Sequence, residues 1–370
     1  MAAKYSVQIC TERLFTGGDG VAYDKSEKNN GLQELKLALR NNDLGRLYFF
    51  HGEEVFLLHH YLDQLRKKTV DELTESFNLH KLNSETFDVQ TFTDAVENLP
   101  MMAERTMVQV EDVDLFKLPE ADRNHLAELL SDIPEYCTIV FTYITLEYKP
   151  DKRLKKLWDA VSKNGTVVSF ERQSQKDLIA WVTRHFAAYQ KNISSDLCAY
   201  LIDITGGMMT NLKGEIDKIA AYSGASVIVK EDIDAVTEPV LDAVVFQMTD
   251  LLGQGQYSAA LQKLQQLFKM QEEPLSILGA VGGHFRKLGT ARTLLDNGRG
   301  AGELMKLYPP MSDYPARKTM DAARRFSVAF CAKASELVLE TDYAMKTSYD
   351  EPERLLELLI LRLAQEARGD

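Results

Sequence analysis

Short apolar runs alternate with amphipathic stretches from Leu47 to Phe170, and beyond Glu171 the short runs all but cease. LYFF at 47–50, the stretch holding Met107, Val108 and Val110, CTIVFTYI at 137–144 and TVVSF at 166–170 have the length and composition of buried strands. Between them lie helical patterns: GLQELKLALRNN with Leu32, Leu35, Leu37 and Leu39, the stretch carrying Val55, Leu57, Leu58, Leu62 and Leu65, then ADRNHLAELL and DKRLKKLWDAV. Strands separated by helices must be joined by crossovers, so the expected domain is α/β, a parallel sheet with helices on both faces.

From 173 to 238 the pattern is helical: SQKDLIAWVTRHFAAYQ, SSDLCAYLIDIT, then TNLKGEIDKIAAYSG with Leu212, Ile216 and Ile219 on one stripe. Gly224 is the expected helix stop, and VIVKEDIDAVT reads as a short strand leading into a helix entered at Lys230–Asp232. From 239 onward every stretch reads as helix. The last begins with Asp350 and Glu353 at capping-box spacing and continues RLLELLILRLA, apolar around most of its circumference and so expected to be buried. Residues 1–30 carry little pattern, and Gly17, Gly18 and Gly20 oppose a regular element; an N-terminal extension, poorly ordered or forming one peripheral element, is expected there.

Composition excludes several functions. There is no apolar run of bilayer length and no signal-peptide pattern at the start, so a cytoplasmic location is expected. Cys10, Cys137, Cys198 and Cys331 are far apart with no CxxC, so no zinc ribbon or dithiol redox pair is expected, and Cys137 reads as a buried inert thiol. The formal net charge is −12, whereas a protein that binds DNA unaided needs a basic excess to neutralise phosphate. Any DNA contact is therefore expected to be local and to depend on partner subunits.

The strand LYFF leads into Gly52-Glu53-Glu54-Val55-Phe56-Leu57-Leu58, where a P-loop would stand. Such a loop needs a second glycine and a lysine to cradle phosphate. Leu57 and Leu58 occupy those places, and Glu53 and Glu54 repel phosphate, so the loop is read as a degenerate, non-functional P-loop. Glu111 and Asp112 end a strand as a Walker B pair would, but with no nucleotide to serve they read as solvated acids. His59 and His60 are adjacent and do not converge, no HExxH or GxSxG occurs, and neither metal, cofactor nor catalytic residue is assigned. Lys152, Arg153, Lys155 and Lys156 read as a solvated helix face, with a local phosphate contact as the other reading.

YFFHGEEVFLLHHYLDQL (48–65) resembles the opening strand–turn–helix of the delta-subunit family of bacterial DNA polymerase III. ENLPMMAERTMVQVEDVD (97–114) resembles that family's next marker, an apolar clamp-binding element running into Arg105 and a strand. The stretch from ITGGMMTNLKGEIDKIAAYSG to LQKLQQL is similar to the family's domain junction, with Gly206, Leu212, Glu215, Lys218 and Phe246 at expected places. EEPLSILGAVGGHFRKL and TDYAMKTS match later parts. Order and spacing from residue 31 to the end carry the resemblance, not any single motif.

The resemblance implies a degenerate AAA+ α/β domain at 31–172, an all-α helical lid at 173–238 and an all-α collar, the oligomerisation domain, at 239–370. It implies a non-catalytic subunit of the clamp-loader complex that binds the sliding clamp (the beta subunit) and opens its ring for loading onto primed DNA, without hydrolysing ATP. Implied partners are the clamp, the delta-prime and gamma/tau subunits and, in the assembled complex, primer–template DNA, with nucleoid association through the replisome. No Ser-Arg-Cys, the arginine-finger motif of the sibling subunits, is present. No polymerase aspartates can be placed, so a DNA-directed DNA polymerase activity, a nucleotidyltransferase, belongs to the holoenzyme. The alternatives are an ATP-binding AAA+ motor subunit and an unrelated AAA+-like adaptor.

By resemblance the clamp-binding element falls on Leu99, Pro100, Met101 and Met102. Two adjacent unbranched apolar side chains after a proline make a compact plug for an apolar pocket. The family often has Leu-Phe or Phe-Phe where this chain has Met-Met, and the bland alternative is that both methionines pack inside the domain. In the collar, Tyr343 and Lys346 are the residues by which a DNA end could be approached, the aromatic stacking on a base; plain collar packing is the bland reading of the tyrosine.

Overall fold

The computed structural model describes residues 30–309, 311 and 313–369, so the extension expected at 1–30 lies, but for its last residue, outside the described residues, as does Cys10. Two compact units divide between Gln173 and Ser174.

The first unit is α/β. In chain order it contains α1 (Asn30–Asn41), β1 (Leu47–His51), α2 (Val55–Thr69), the single turn α3 (Glu75–Asn78), β2 (Leu79–Asn83), α4 (Val89–Glu97), β3 (Thr106–Glu111), α5 (Glu120–Ser131), β4 (Cys137–Tyr143), α6 (Lys155–Asn164) and β5 (Gly165–Ser169). The strands form one parallel sheet ordered β2-β3-β4-β1-β5. Central strands β1 and β4 are buried on both faces, which is why they read as unbroken apolar runs. Leu47 and Phe49 face a core with Phe92, Leu126, Leu157 and Val161 from α4, α5 and α6. Successive strand residues point to opposite faces. Phe50 accordingly meets Phe170, with ring centroids 5.3 Å apart, and Phe170 stacks on Tyr61 of α2.

Strand β2 has no counterpart in the apolar pattern. It is an edge strand of sequence LHKLN with one buried residue, so its polar composition hid it. The basic run is also corrected: α6 begins at Lys155, so Lys152 and Arg153 precede the helix. Arg153 pairs with Asp151 at 2.8 Å, and Lys152 lies 5.3 Å from the Trp158 ring centre.

The second unit is helical: α7 (Gln175–Ala188), α8 (Ser195–Thr205), α9 (Met209–Tyr222), α10 (Lys230–Val236), α11 (Leu241–Gly253), α12 (Tyr257–Lys269), α13 (Pro274–Asp296), α14 (Ala301–Leu307), α15 (Asp313–Ala323), α16 (Val328–Thr347) and α17 (Pro352–Gly369). Ser174 and Ser194 cap α7 and α8 by accepting hydrogen bonds from the amides of Asp177 and Leu197. The stripe of α9 is buried as expected. From Leu241 a single apolar core joins α11 to α17 through residues such as Val244, Leu264, Phe285, Phe330 and Leu363.

Four local expectations are corrected. Gly224 does not stop α9 through a left-handed turn, since α9 ends at Ser223 in extended conformation; Gly206, φ 79°, is the left-handed glycine that closes α8. VIV does not form a strand: Val227 makes an isolated bridge to Asn192, and α10 follows at Lys230. Helix α17 starts at Pro352, so Asp350 lies two residues outside it and is not its cap. Leu358 and Leu361 are half-exposed, so α17 buries one side only.

Candidate functional site

The segment expected to be the clamp-binding element follows α4 directly. Asp88 starts that helix by accepting from the Thr91 amide at 2.9 Å, and the Tyr136 hydroxyl donates to the Glu97 carbonyl, 3.0 Å away, at its far end. The chain then leaves the helix through Asn98 in an extended conformation. Leu99, Met101 and Met102 are 71%, 57% and 94% exposed, so none of the three is packed inside the domain, and Pro100 sits between them, partly buried. Met102 has φ 54°, a left-handed conformation that side chains other than glycine rarely adopt.

The turn is held by a residue that no sequence pattern singles out. Asn78, buried at the end of α3, accepts from the Met101 amide at 2.7 Å and donates to the Met101 carbonyl at 2.9 Å. Its second amide hydrogen goes to the Thr74 carbonyl at 3.1 Å. Both amide hydrogens and the carbonyl oxygen of that side chain are engaged, two of these bonds on one backbone residue twenty-three positions away. Beside it Leu73 and Phe77 are 89% and 57% exposed, apolar residues within the polar stretch DELTESFN. Of the seven exposed large hydrophobics described between residues 30 and 173, five are Leu73, Phe77, Leu99, Met101 and Met102.

At the P-loop position the geometry belongs to packing. Gly52 has φ 130°, and a Cβ there would meet the Phe170 carbonyl oxygen at 2.3 Å, so glycine lets the turn press against the end of β5. The Glu54 amide donates to that carbonyl at 2.9 Å. Leu57 and Leu58, standing where a second glycine and a lysine would be, are buried, and Glu53 is paired with Arg172 at 2.7 Å.

Asp112 is not the solvated acid expected. Its carboxylate accepts from the amides of Ile144, Thr145 and Leu146 and from the Thr145 hydroxyl, tying the exit of β3 to that of β4. Burial pushes its pKa up, but these hydrogen bonds, led by Thr145, outweigh it and leave the group below the usual range. Cys137 is buried, its thiol pushed up to about 11 by desolvation. Among the described residues no three His, Cys, Asp or Glu side chains are grouped to hold a metal ion.

In the helical unit Tyr343 is 70% exposed on α16. Lys346 pairs with Asp342 at 2.7 Å and lines, with Arg286, a groove of about 410 Å³ between α13 and α16. At the junction residues, Glu215 and Lys218 form an ion pair of 2.8 Å, and Phe246 lies under Lys318, 3.9 Å from its ring centre. No described helix is long and apolar enough to cross a membrane.

Residues 48–171 match the family model of the DNA polymerase III delta subunit, and residues 242–363 match that of the C-terminal domain of the same delta subunit. The DNA polymerase III subunit delta of Bacillus subtilis is 24% identical over 335 residues, covering 88% of this chain and 95% of its own length. The probable DNA polymerase III subunit delta of Aquifex aeolicus is 23% identical over 266 residues, covering 70% of this chain and 75% of its own. The solved structure of the Bacillus subtilis DNA clamp loader delta protein superposes with a TM-score of 0.60 at 22% identity, over 90% of this chain and 99% of that one, which supports the fold.

Proposed function

This chain belongs to the DNA polymerase III delta-subunit family, and we propose that it binds the sliding clamp through Leu99, Pro100, Met101 and Met102 and opens the clamp ring. The observation that carries the reading is the exposed Leu99–Met102 turn, fixed by buried Asn78 where the family's clamp-binding element is expected. Apolar side chains held outward on an ordered turn lose little conformational entropy when they enter a pocket. Methionine adapts to the shape of that pocket.

Binding alone opens nothing. A ligand shifts an equilibrium only by its differential affinity for the two states, so the surface must fit the open clamp better than the closed one. ATP bound by the neighbouring motor subunits of the complex controls when this element is accessible. This chain acts without nucleotide, a role supported by buried Leu57 and Leu58 and the engaged Glu53 in its P-loop position. Its helical 239–370 segment serves as the collar. Tyr343 and Lys346 reach the primer–template DNA only in the assembled complex, in the cytoplasm.

The test is affinity for the cognate clamp, by calorimetry, with and without Met101→Ala/Met102→Ala. The double variant should fold normally and lose on the order of 2–4 kcal/mol of binding. Unchanged affinity in the folded variant refutes the site, and no binding by the unaltered chain refutes the function.

A further inference from the structure

Resting on the clamp-binding reading, we infer that the clamp contact is built from two segments, Leu73 and Phe77 adding a second apolar anchor to the Leu99–Met102 turn, with Asn78 as the positioning residue that holds the two together. The segment 71–78 is held by its own hydrogen bonds. The Asp71 carboxylate accepts from the Leu73 amide at 2.9 Å, and Arg66 donates to both oxygens of Glu75 at 2.7 and 2.9 Å, pinning α3 to α2. Asn78 then bonds the Thr74 carbonyl on one side and both backbone groups of Met101 on the other. Phe77 directly precedes Asn78, the residue whose side chain holds the Met101 backbone.

Two physical points make this surface one contact. An ordered segment that leaves two large hydrophobes exposed pays solvation free energy that an interface recovers, and isolated exposed apolar residues are scattered rather than gathered. Here five of the seven exposed large hydrophobics among the described residues of the α/β unit fall on two segments joined through one buried side chain. The occupant is the clamp, because the second segment is continuous with the one expected to enter the clamp pocket. Anchors concentrated near the centre of an interface with further apolar contacts around them are the usual energetic layout.

Asn78 also accounts for the left-handed Met102. Its paired bonds fix Met101 as a neighbouring strand would, and the chain must then turn sharply to reach Arg105. An aspartate could accept from the Met101 amide but could not donate to the Met101 or Thr74 carbonyl.

The experiment measures clamp affinity by calorimetry for the full chain carrying Leu73→Ala/Phe77→Ala, Asn78→Ala, Met101→Ala/Met102→Ala, and Asn78→Ala combined with the methionine pair. Leu73 and Phe77 are exposed, so their replacement should leave the melting curve unchanged while weakening binding about tenfold or more. Asn78→Ala should weaken binding alone and add at most about twofold once both methionines are gone, since it acts through the turn. Binding by the Leu73/Phe77 variant within about twofold of the unaltered chain, when the methionine variant has lost it, overturns the second anchor and leaves the clamp reading standing. A full Asn78→Ala loss persisting in the methionine background overturns its positioning role. Unaltered binding by the methionine variant overturns the turn as the clamp contact, and the second anchor with it, while no binding by the unaltered chain overturns the clamp reading itself.

Discussion

At the scale of single residues, the left-handed Met102 separates stability from function. A non-glycine residue at φ 54° carries backbone strain of about 1–2 kcal/mol. Met102→Gly removes that strain but adds freedom to the unfolded chain, worth about 0.5–1 kcal/mol against it. The expected outcome is a urea midpoint unmoved or modestly raised and a clamp affinity clearly reduced. A large loss of stability with intact binding would show that Met102 serves the fold. Two histidines of the helical unit give a second residue-scale expectation. Desolvation, then Lys213, lowers His185 to about 4, and desolvation, then Lys287 and Lys318, lowers His284 to about 3. Both are depressed below an unfolded value of about 6.5, so protonation favours the unfolded chain. Their stabilisation is complete above pH about 6.5 and lost as pH falls towards the folded values, by up to about 1.4 kcal/mol per pH unit each. His185→Phe keeps a ring beside Trp181, whose centre lies 4.0 Å away, and should flatten this acid limb in urea unfolding between pH 7.5 and 5. An unchanged slope would show that His185 does not titrate with unfolding.

At the scale of elements, legibility followed burial symmetry. Strands β1 and β4 are covered on both faces and announced themselves as apolar runs; β2 is a polar edge and stayed hidden. Helix α9 showed its buried stripe, while the circumference of α17 misled, because an apolar residue such as Leu361 can remain half-exposed. The candidate turn was legible only as sequence: whether Met101 and Met102 pointed in or out depends on Asn78, a partner no local pattern connects to them. The P-loop position was legible in its missing residues but not in its reason, which is the contact of Gly52 with the Phe170 carbonyl. That contact makes the loop hard to convert. Leu58→Lys, which restores the phosphate-binding residue type, places an ammonium where the side chain is fully buried. It should destabilise the α/β unit by more than about 2 kcal/mol, seen in urea unfolding, and confer no thermal shift with magnesium–ATP. A nucleotide-induced shift would show that the loop retains a working phosphate cradle.

At the scale of the whole molecule, sign of charge decides what the chain can do alone. With 43 basic against 55 acidic residues, the net −12 repels a polyanion at long range, and exposed cations such as Lys346 and Arg153 are already paired with neighbouring carboxylates. Displacing those carboxylates costs part of what a phosphate contact gains. Exposed Tyr343 can still stack on a base, worth about 1–3 kcal/mol, but only once something else holds the DNA against it. The isolated chain should therefore bind a primer–template junction no more tightly than about 10⁻⁴ M at physiological salt, read by fluorescence anisotropy. In the assembled complex Tyr343→Ala should weaken primer–template binding several-fold with little change in the salt slope, since stacking releases no counterions, whereas loss of a phosphate contact would lower that slope by about one. Tight binding by the isolated chain would mean that its exposed cations form a DNA surface of their own. A Tyr343→Ala complex with unaltered DNA affinity would leave the aromatic on α16 without a part in DNA recognition.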